Sequence, residues 1–275
     1  MNNWTLKGLT AGKVSIKWPK DKNSDNSQSQ QGLLQIPLFN SNACQNNCHQ
    51  CVDICPTQAL SLETNNNTVA MDYGRCINCQ ACVEICPVDG ALDPTWKGSY
   101  ASLDRNDLIQ SSLNQKKSIQ TEAEIVGQRV RSRFRGSLHI RHIDAGSCNG
   151  CESELQGLLN PYYNLHRLGI FFTPSPRFAD LLLITGPVVP QMKDIVLRTW
   201  QAMPEPRFVF AAGTCAVSAA LFDSGYAKGD GVDAILPVDL YLPGCPPSPA
   251  SLIHGLYLFT GRTDQDIKDG KANDN

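Results

Sequence analysis

Eight cysteines packed into residues 40–95, in two nearly identical runs, constrain this chain more than any other feature. Cys48, Cys51 and Cys55 are closed by Pro56, and the same spacing returns as Cys79, Cys82 and Cys86, closed by Pro87. One further cysteine precedes each run: Cys44 lies four residues before Cys48, whereas Cys76 lies three before Cys79. Thiols clustered this densely in a reducing compartment bind metal more often than they pair as disulfides. The opening MNNWTLKGLTAGK has neither the apolar core of a secretory signal nor a twin arginine, so the expectation is a cytoplasmic chain. No apolar stretch approaches the roughly 20 residues that span a bilayer, and membrane contact is expected only through partner subunits. A net charge of −2 gives no reason to expect nucleic acid.

The run from Cys76 to Pro87 reads C-x2-C-x2-C-x3-C-P, the bacterial ferredoxin pattern, in which three close cysteines wrap one cluster and the fourth crosses to the other. Applied residue by residue, Cys44, Cys48, Cys51 and Cys86 hold a first cluster, and Cys55, Cys76, Cys79 and Cys82 a second. Short loops of this kind aim backbone N–H groups at the sulfurs, and proline after the fourth cysteine stops helical continuation. The longer Cys44 spacing leaves a [4Fe–4S] and a [3Fe–4S] centre both open for the first set. Structural zinc usually takes two well-separated CxxC pairs, which tandem triplets with crossing cysteines do not resemble. Val52, Ile54, Val83 and Ile85 read as packing around the clusters.

Five regions separate by composition. Residues 1–39 hold an apolar segment, Leu6 to Trp18, and a Lys/Asn/Ser/Gln tether from Lys20 to Gln31 expected to be flexible. Residues 40–95 form the cluster domain, 96–135 a polar linker ending in RVRSRFR, 136–260 a rear domain, and 261–275 a polar tail. In the rear domain, candidate strands at 138–143, 180–186, 207–213 and 234–244 are each followed by a candidate helix: Glu152–Leu159, Gln191–Ala202, Cys215–Phe222 and Pro249–Phe259. Such alternation argues for a mostly parallel sheet covered on both faces, with ligands at the carboxyl ends of its strands. The remaining four cysteines, Cys148, Cys151, Cys215 and Cys245, all fall at those ends, beside Gly146, Gly150, Gly213 and Gly244. Taken by spacing alone, Cys148 and Cys151 also suit a redox dithiol, although a dithiol needs no further strand-end cysteines.

The segments GSCNGCESEL, ADLLLITGPV, FVFAAGTCA and LPVDLYLPGCPPSP give residues 136–260 a resemblance to the proximal-cluster subunit shared by [NiFe] hydrogenases and respiratory complex I, its 20 kDa subunit. Complex I subunits usually present the first two ligands as adjacent cysteines. The spacing Cys148-Asn-Gly-Cys151 resembles instead the small subunits of group 4 hydrogenases, formate hydrogenlyase included. The start LKGLTAGKVSIKWP and the cysteine repeat resemble the ferredoxin subunit beside it in those complexes, so the chain looks like two neighbours fused. The resemblance implies an α+β ferredoxin-like 2[4Fe–4S] domain followed by an α/β flavodoxin-like domain with a mostly parallel sheet. It implies three [4Fe–4S] clusters, the third on Cys148, Cys151, Cys215 and Cys245. It also implies a large catalytic subunit as partner, and a complex peripheral to the cytoplasmic membrane. Uptake-type small subunits carry an export signal and extra clusters at the C-terminus; lacking both, this chain is expected in the cytoplasmic branch.

The expected function is electron transfer within a hydrogenase-type oxidoreductase, with no complete active site on this chain. A complex I-like quinone oxidoreductase without nickel is one alternative, and a standalone ferredoxin-like carrier or scaffold another. Glu154 aligns with a family glutamate near the proximal cluster and is a candidate for a proton path, although carboxylates such as Glu152 and Glu154 also suit the first turn of a helix. His139 and His142 read as strand-face histidines meeting a neighbour. Arg129, Arg131, Arg133, Arg135 and Arg141 either form a solvated stretch or attract residues 40–95, which hold six acids against Arg75 alone.

Overall fold

A computed structural model of the chain describes residues 36–41, 43–44, 48–63, 69–94, 100–110, 137–222, 231–262, 267–268 and 271–272. The apolar start, the tether, the arginines at 129–135 and most of the polar tail lie outside the described residues. All twelve cysteines lie within them, and none forms a disulfide.

The front domain is built from short pieces. Strand β1 (Leu38–Phe39) pairs with β4 (Leu92–Asp93), and β3 (Val69–Asp72) is flanked by β2 (Leu60–Leu62) and β5 (Ile109–Gln110), all antiparallel. Two five-residue helices, α1 (Gln50–Ile54) and α2 (Ala81–Ile85), sit inside the two cysteine runs. Each ends because its next residue precedes a proline, which disfavours helical backbone. Cys55 and Cys86 accordingly turn extended, at φ −74, ψ 111 and φ −67, ψ 120. The prolines therefore swing the fourth cysteine of each run out of its helix.

The rear domain is a five-stranded parallel sheet made of β6 (Leu138–Asp144), β7 (Ile170–Phe172), β8 (Leu181–Thr185), β9 (Phe208–Ala212) and β10 (Leu240–Leu242), in the order β10-β9-β8-β6-β7. Counted within this sheet the order is 2-1-3-4-5, which reverses direction between β6 and β8. Strand β8 is apolar except for Thr185 and buried throughout, as a central parallel strand covered on both faces must be. One face, with Leu181, Leu183, Phe210, Ala212, Leu240 and Leu242, packs under α6 (Pro249–Phe259). That helix starts sharply: the Ser248 hydroxyl accepts the Ser251 N–H, and Pro249 occupies the first turn. The opposite face, with Leu182, Ile184, Val209, Ala211 and Tyr241, belongs to a core that continues into the front domain through Tyr73, Tyr100 and Leu108.

Four local expectations change. The strand expected over 234–244 narrows to Leu240–Leu242, because 232–234 form a 3-10 turn ahead of Pro237. The edge strand β7 went unread, since Ile-Phe-Phe is too short to show a period of two. The helix expected over Cys215–Phe222 is α5 (Thr214–Ser218), after which Ala219 and Ala220 take left-handed φ of 59 and 42. No glycine or proline announces that stop.

The fourth change concerns residues 100–110, read within the linker. They form a strap across both domains. Tyr100 stacks on Tyr73 with ring centroids 4.9 Å apart and donates to the Ile36 carbonyl at 3.1 Å. Ser102 and Tyr241 exchange backbone hydrogen bonds of 2.9 and 2.8 Å. Arg105 grips both carboxylate oxygens of Asp72 at 2.8 and 2.6 Å, and β5 completes the front sheet. The polar average of the region hid Tyr100, Ala101, Ser102 and Leu108, which are all buried.

Candidate metal centres

The front cysteines gather into two separate sets. Cys44, Cys48, Cys51 and Cys86 line one cavity together with Phe39, Pro87, Val88, Ala91 and Leu92, a space of about 330 Å3 open in part to solvent. Cys55, Cys76, Cys79 and Cys82 line a second, walled by Pro37, Leu60, Met71 and Ile77 and likewise open in part to solvent. Each cavity thus takes three cysteines from one run and the crossing fourth from the other. The Ala59 N–H donates to the Cys55 sulfur at 3.2 Å, the kind of amide donor the short loops were expected to supply.

Electrostatics separates the same groups. Burial pushes the Cys51 thiol up to about 11, and Cys44, Cys86 and Cys48 push it the same way. Cys76 is pushed up to about 12 by burial, with Cys82, Cys55 and Cys79 adding to it. Cys82, also at about 12 through burial, feels Cys55 and Cys79, and then Cys51 of the other set. The two sets approach each other where α1, carrying Cys51, packs on α2, carrying Cys82.

In the rear domain the four cysteines come from three strand ends. Cys148 leaves the loop after β6 and Cys151 lies in α3 (Gly150–Gly157). Cys215 lies in α5 after β9, and Cys245 follows β10. Burial raises Cys215 to about 11, with Cys245 and Cys148 contributing; Cys151 is raised further by burial, Glu152 and the other three cysteines. Gly213, at φ +93, makes this approach feasible: a Cβ there would stand 2.7 Å from the Cys151 sulfur. Cys148 and Cys245 are exposed, so the set opens to the protein surface.

Among the described residues, no three His, Cys, Asp or Glu side chains gather closely enough to hold one metal ion. Tetrahedral zinc needs sulfurs about 3.8 Å apart, from Zn–S bonds of about 2.3 Å. Four thiols to a set, among which burial holds Cys51, Cys76, Cys82, Cys151, Cys215 and Cys245 away from ionisation, suit a polynuclear cationic group, which displaces the protons and neutralises the thiolates.

A polar network fixes the loop that carries Cys148. Glu152, 9% exposed, accepts from the Ser147 hydroxyl at 2.6 Å and from the Thr185 hydroxyl. His142 Nε2 lies 2.9 Å from Thr185 Oγ1 and 3.7 Å from Glu152 Oε1. Asp144 Oδ1 accepts the Gly146 and Ser147 N–H groups at 2.8 and 2.7 Å, closing the turn. The sequence reading favoured Glu154, which lies half-buried on α3 with its carboxyl pushed up by burial; Glu152 is the carboxylate at the centre of this network. Thr185 was missed, although one polar residue ending the run Leu-Leu-Leu-Ile was a usable signal. His139 meets Asp180, its backbone N–H donating to the carboxylate at 2.9 Å and its ring Nδ1 lying 3.4 Å from the same oxygen.

The two halves also match known proteins separately. Residues 43–90 match a 4Fe-4S dicluster domain, and residues 148–259 match NADH ubiquinone oxidoreductase, 20 Kd subunit. Formate hydrogenlyase subunit 7 of Escherichia coli (strain K12) is 41% identical over 135 residues, 49% of this chain and 53% of that protein. The match thus spans about half the length of that curated relative. Among solved structures, a chain of the membrane-bound sulfane sulfur reductase, an archaeal respiratory membrane complex, is 31% identical with a TM-score of 0.40, covering 52% of this chain and 80% of that one. A chain of the NAD+-reducing [NiFe]-hydrogenase is 20% identical with a TM-score of 0.38, covering 46% of this chain and 93% of that one. The chain therefore joins a segment that matches a 4Fe-4S dicluster domain to one that matches the NADH ubiquinone oxidoreductase 20 Kd subunit.

Proposed function

We propose that this chain is the electron-transfer subunit of a [NiFe] hydrogenase-type oxidoreductase complex, with three [4Fe–4S] clusters on its twelve cysteines. The single observation that carries the reading is the continuity of the three cysteine sets. The first meets the second where α1, carrying Cys51, packs on α2, carrying Cys82, and the Cys76 carbonyl of the second accepts a hydrogen bond from Thr214, the residue before Cys215 of the third. Bound clusters supply one-electron transfer at potentials set by burial and by hydrogen bonds to their sulfurs. The chain's own residues hold them apart, exclude water on the Leu60 and Met71 side, and donate the Ala59 N–H to Cys55. The flavodoxin-like strand order supports a rear domain whose third set sits at the carboxyl ends of the strands.

The exposure of Cys148 and Cys245 supports a large catalytic subunit docking over the third set. Similarity to a formate hydrogenlyase subunit supports a hydrogenase as that complex, peripheral to the cytoplasmic face of the membrane through its partners. No helix among the described residues is long and apolar enough to cross a membrane itself. Glu154 stays the candidate for a proton path toward the partner. A second reading, a complex I-like quinone oxidoreductase without nickel, is favoured by the family that residues 148–259 match. Nickel in the purified native complex, with hydrogen-dependent dye reduction, separates the two.

Anaerobically reconstituted protein is expected to bind about twelve irons and about twelve sulfides. Cys245→Ala is expected to lose about four irons while the two front signals persist in electron paramagnetic resonance. Stoichiometric zinc with fewer than about four irons would sink the reading.

A further inference from the structure

Thr214 is the first residue of α5 and is 1% exposed, at the seam between the two domains. Its hydroxyl donates to the carbonyl oxygen of Cys76 at 2.7 Å, across 138 residues of sequence. The Thr214 hydroxyl oxygen accepts the Gly244 N–H at 2.9 Å, and the Thr214 N–H in turn donates to the Gly244 carbonyl at 2.9 Å. A single side chain thus ties the backbone of one cysteine in the second set to the residues immediately before two cysteines of the third, Cys215 and Cys245. Four residues along the same helix, the Ser218 hydroxyl donates to the Gly74 carbonyl at 2.9 Å. The seam therefore holds two hydroxyl bridges of similar length, and only one of them touches cysteines on both sides.

We propose that Thr214 is a positioning residue for electron transfer, the bridge that couples the second cluster site to the third; the inference rests on the three-cluster reading above. Electronic coupling through protein decays more slowly along covalent and hydrogen bonds than across a van der Waals gap. From Cys76 the bonded route runs through its own carbonyl to the Thr214 hydroxyl. There it divides, through the threonine backbone into Cys215 and through the Gly244 amide into Cys245. Removing the hydroxyl leaves a buried carbonyl and a buried amide unpaired and opens a gap in both branches. The Ser218 bridge offers only a longer route, because Gly74 reaches Cys76 through Arg75 and the Ser218 hydroxyl meets the Thr214 carbonyl at 3.2 Å, so it serves mainly in docking.

The test uses the full chain carrying its clusters, with Thr214→Val (the same shape without the hydroxyl), Thr214→Ser (hydroxyl kept) and Ser218→Ala. Clusters are counted by iron content and by their paramagnetic signals. The front clusters are then photoreduced and the rise of the third signal is timed, while hydrogen exchange reads protection of the Gly244 amide. Thr214→Val is expected to keep three clusters, lose Gly244 protection and slow internal equilibration by at least about tenfold, the scale on which outer partners of metal ligands act. Thr214→Ser and Ser218→Ala are expected within about twofold of wild type, well below that scale. Equal slowing by Ser218→Ala would make Thr214 one docking contact among others, and a wild-type rate in Thr214→Val would remove it from the route; either result overturns the proposal alone. Slowing by Thr214→Ser as large as that expected for Thr214→Val also overturns it, and does so even where the valine variant fails to fold. If the wild-type chain takes up no third cluster, the proposal falls together with the reading beneath it.

Discussion

The front domain buries three of its eight cysteines, whereas the rear domain buries none of its four. In the front, Cys51, Cys76 and Cys82 are buried core residues, packed with Leu60, Met71 and Tyr73. The helices that carry Cys51 and Cys82 span five residues each, far below the roughly 12–15 at which an isolated helix becomes marginal in water. The rear domain has a sheet whose strands β8 and β9 are almost entirely buried, and its cysteines sit outside that core at the strand ends. On the three-cluster proposal, the front domain is expected to fold around its cofactors, whereas the rear is expected to offer a finished scaffold to which a cofactor is added.

The largest effect that comparison predicts is an unequal response to iron removal. Anaerobic chelation is expected to abolish hydrogen-exchange protection across residues 48–93 while β6, β8 and β9 stay protected. Simultaneous loss in both domains would mean that the shared core through Tyr73, Tyr100 and Tyr241 couples them into one unit, and would break the contrast. A smaller effect should mark the polar support of the rear loop. Glu152→Ala strands the Ser147 and Thr185 hydroxyls and is expected to destabilise the rear domain by about 1–3 kcal/mol in denaturant unfolding, with front-cluster signals unchanged. A change in the front signals would show that the loop's support reaches across the seam.

The smallest predicted effect sharpens the comparison through pH. Burial pushes the Asp239 carboxyl up to about 6, partly opposed by the Val209 N–H that donates to it at 2.8 Å. Because the folded value lies above the unfolded one, the folded state binds the proton more tightly. Rear-domain stability therefore falls as pH rises from about 4 to about 6 and is level above that range. Asp239→Asn keeps an acceptor for Val209 and is expected to flatten the profile, gaining about 1 kcal/mol at neutral pH after allowance for partial exposure. Exchange rates of β9 and β10 across that pH range check it. An unchanged slope would place the titrating group elsewhere.

Legibility differed with the range of the interaction. The crossing of Cys55 and Cys86 between sets was expected from the bacterial ferredoxin spacing, and the end of each short helix from the proline that follows. The alternation of strands and helices after residue 136 was readable from apolar runs. The stop of α5 after Ser218 was not, since Ala219 and Ala220 carry no local preference for left-handed backbone. Nor was the strap at 100–110, because Tyr100 and Ser102 are buried by partners, Tyr73 and Tyr241, that lie far along the chain.

By itself the sequence determined the number, spacing and crossing pattern of the cysteines, and the ends of the parallel strands at which the last four fall. Local backbone preference and side-chain period decide such features, and both are written into short windows. Only the tertiary structure decided that Glu152, not Glu154, meets Thr185 and Ser147, and that the Thr214 hydroxyl reaches Cys76. Those pairings depend on how two packed layers register against each other, a choice set by complementary surfaces from distant segments. No single segment contains both halves of that choice.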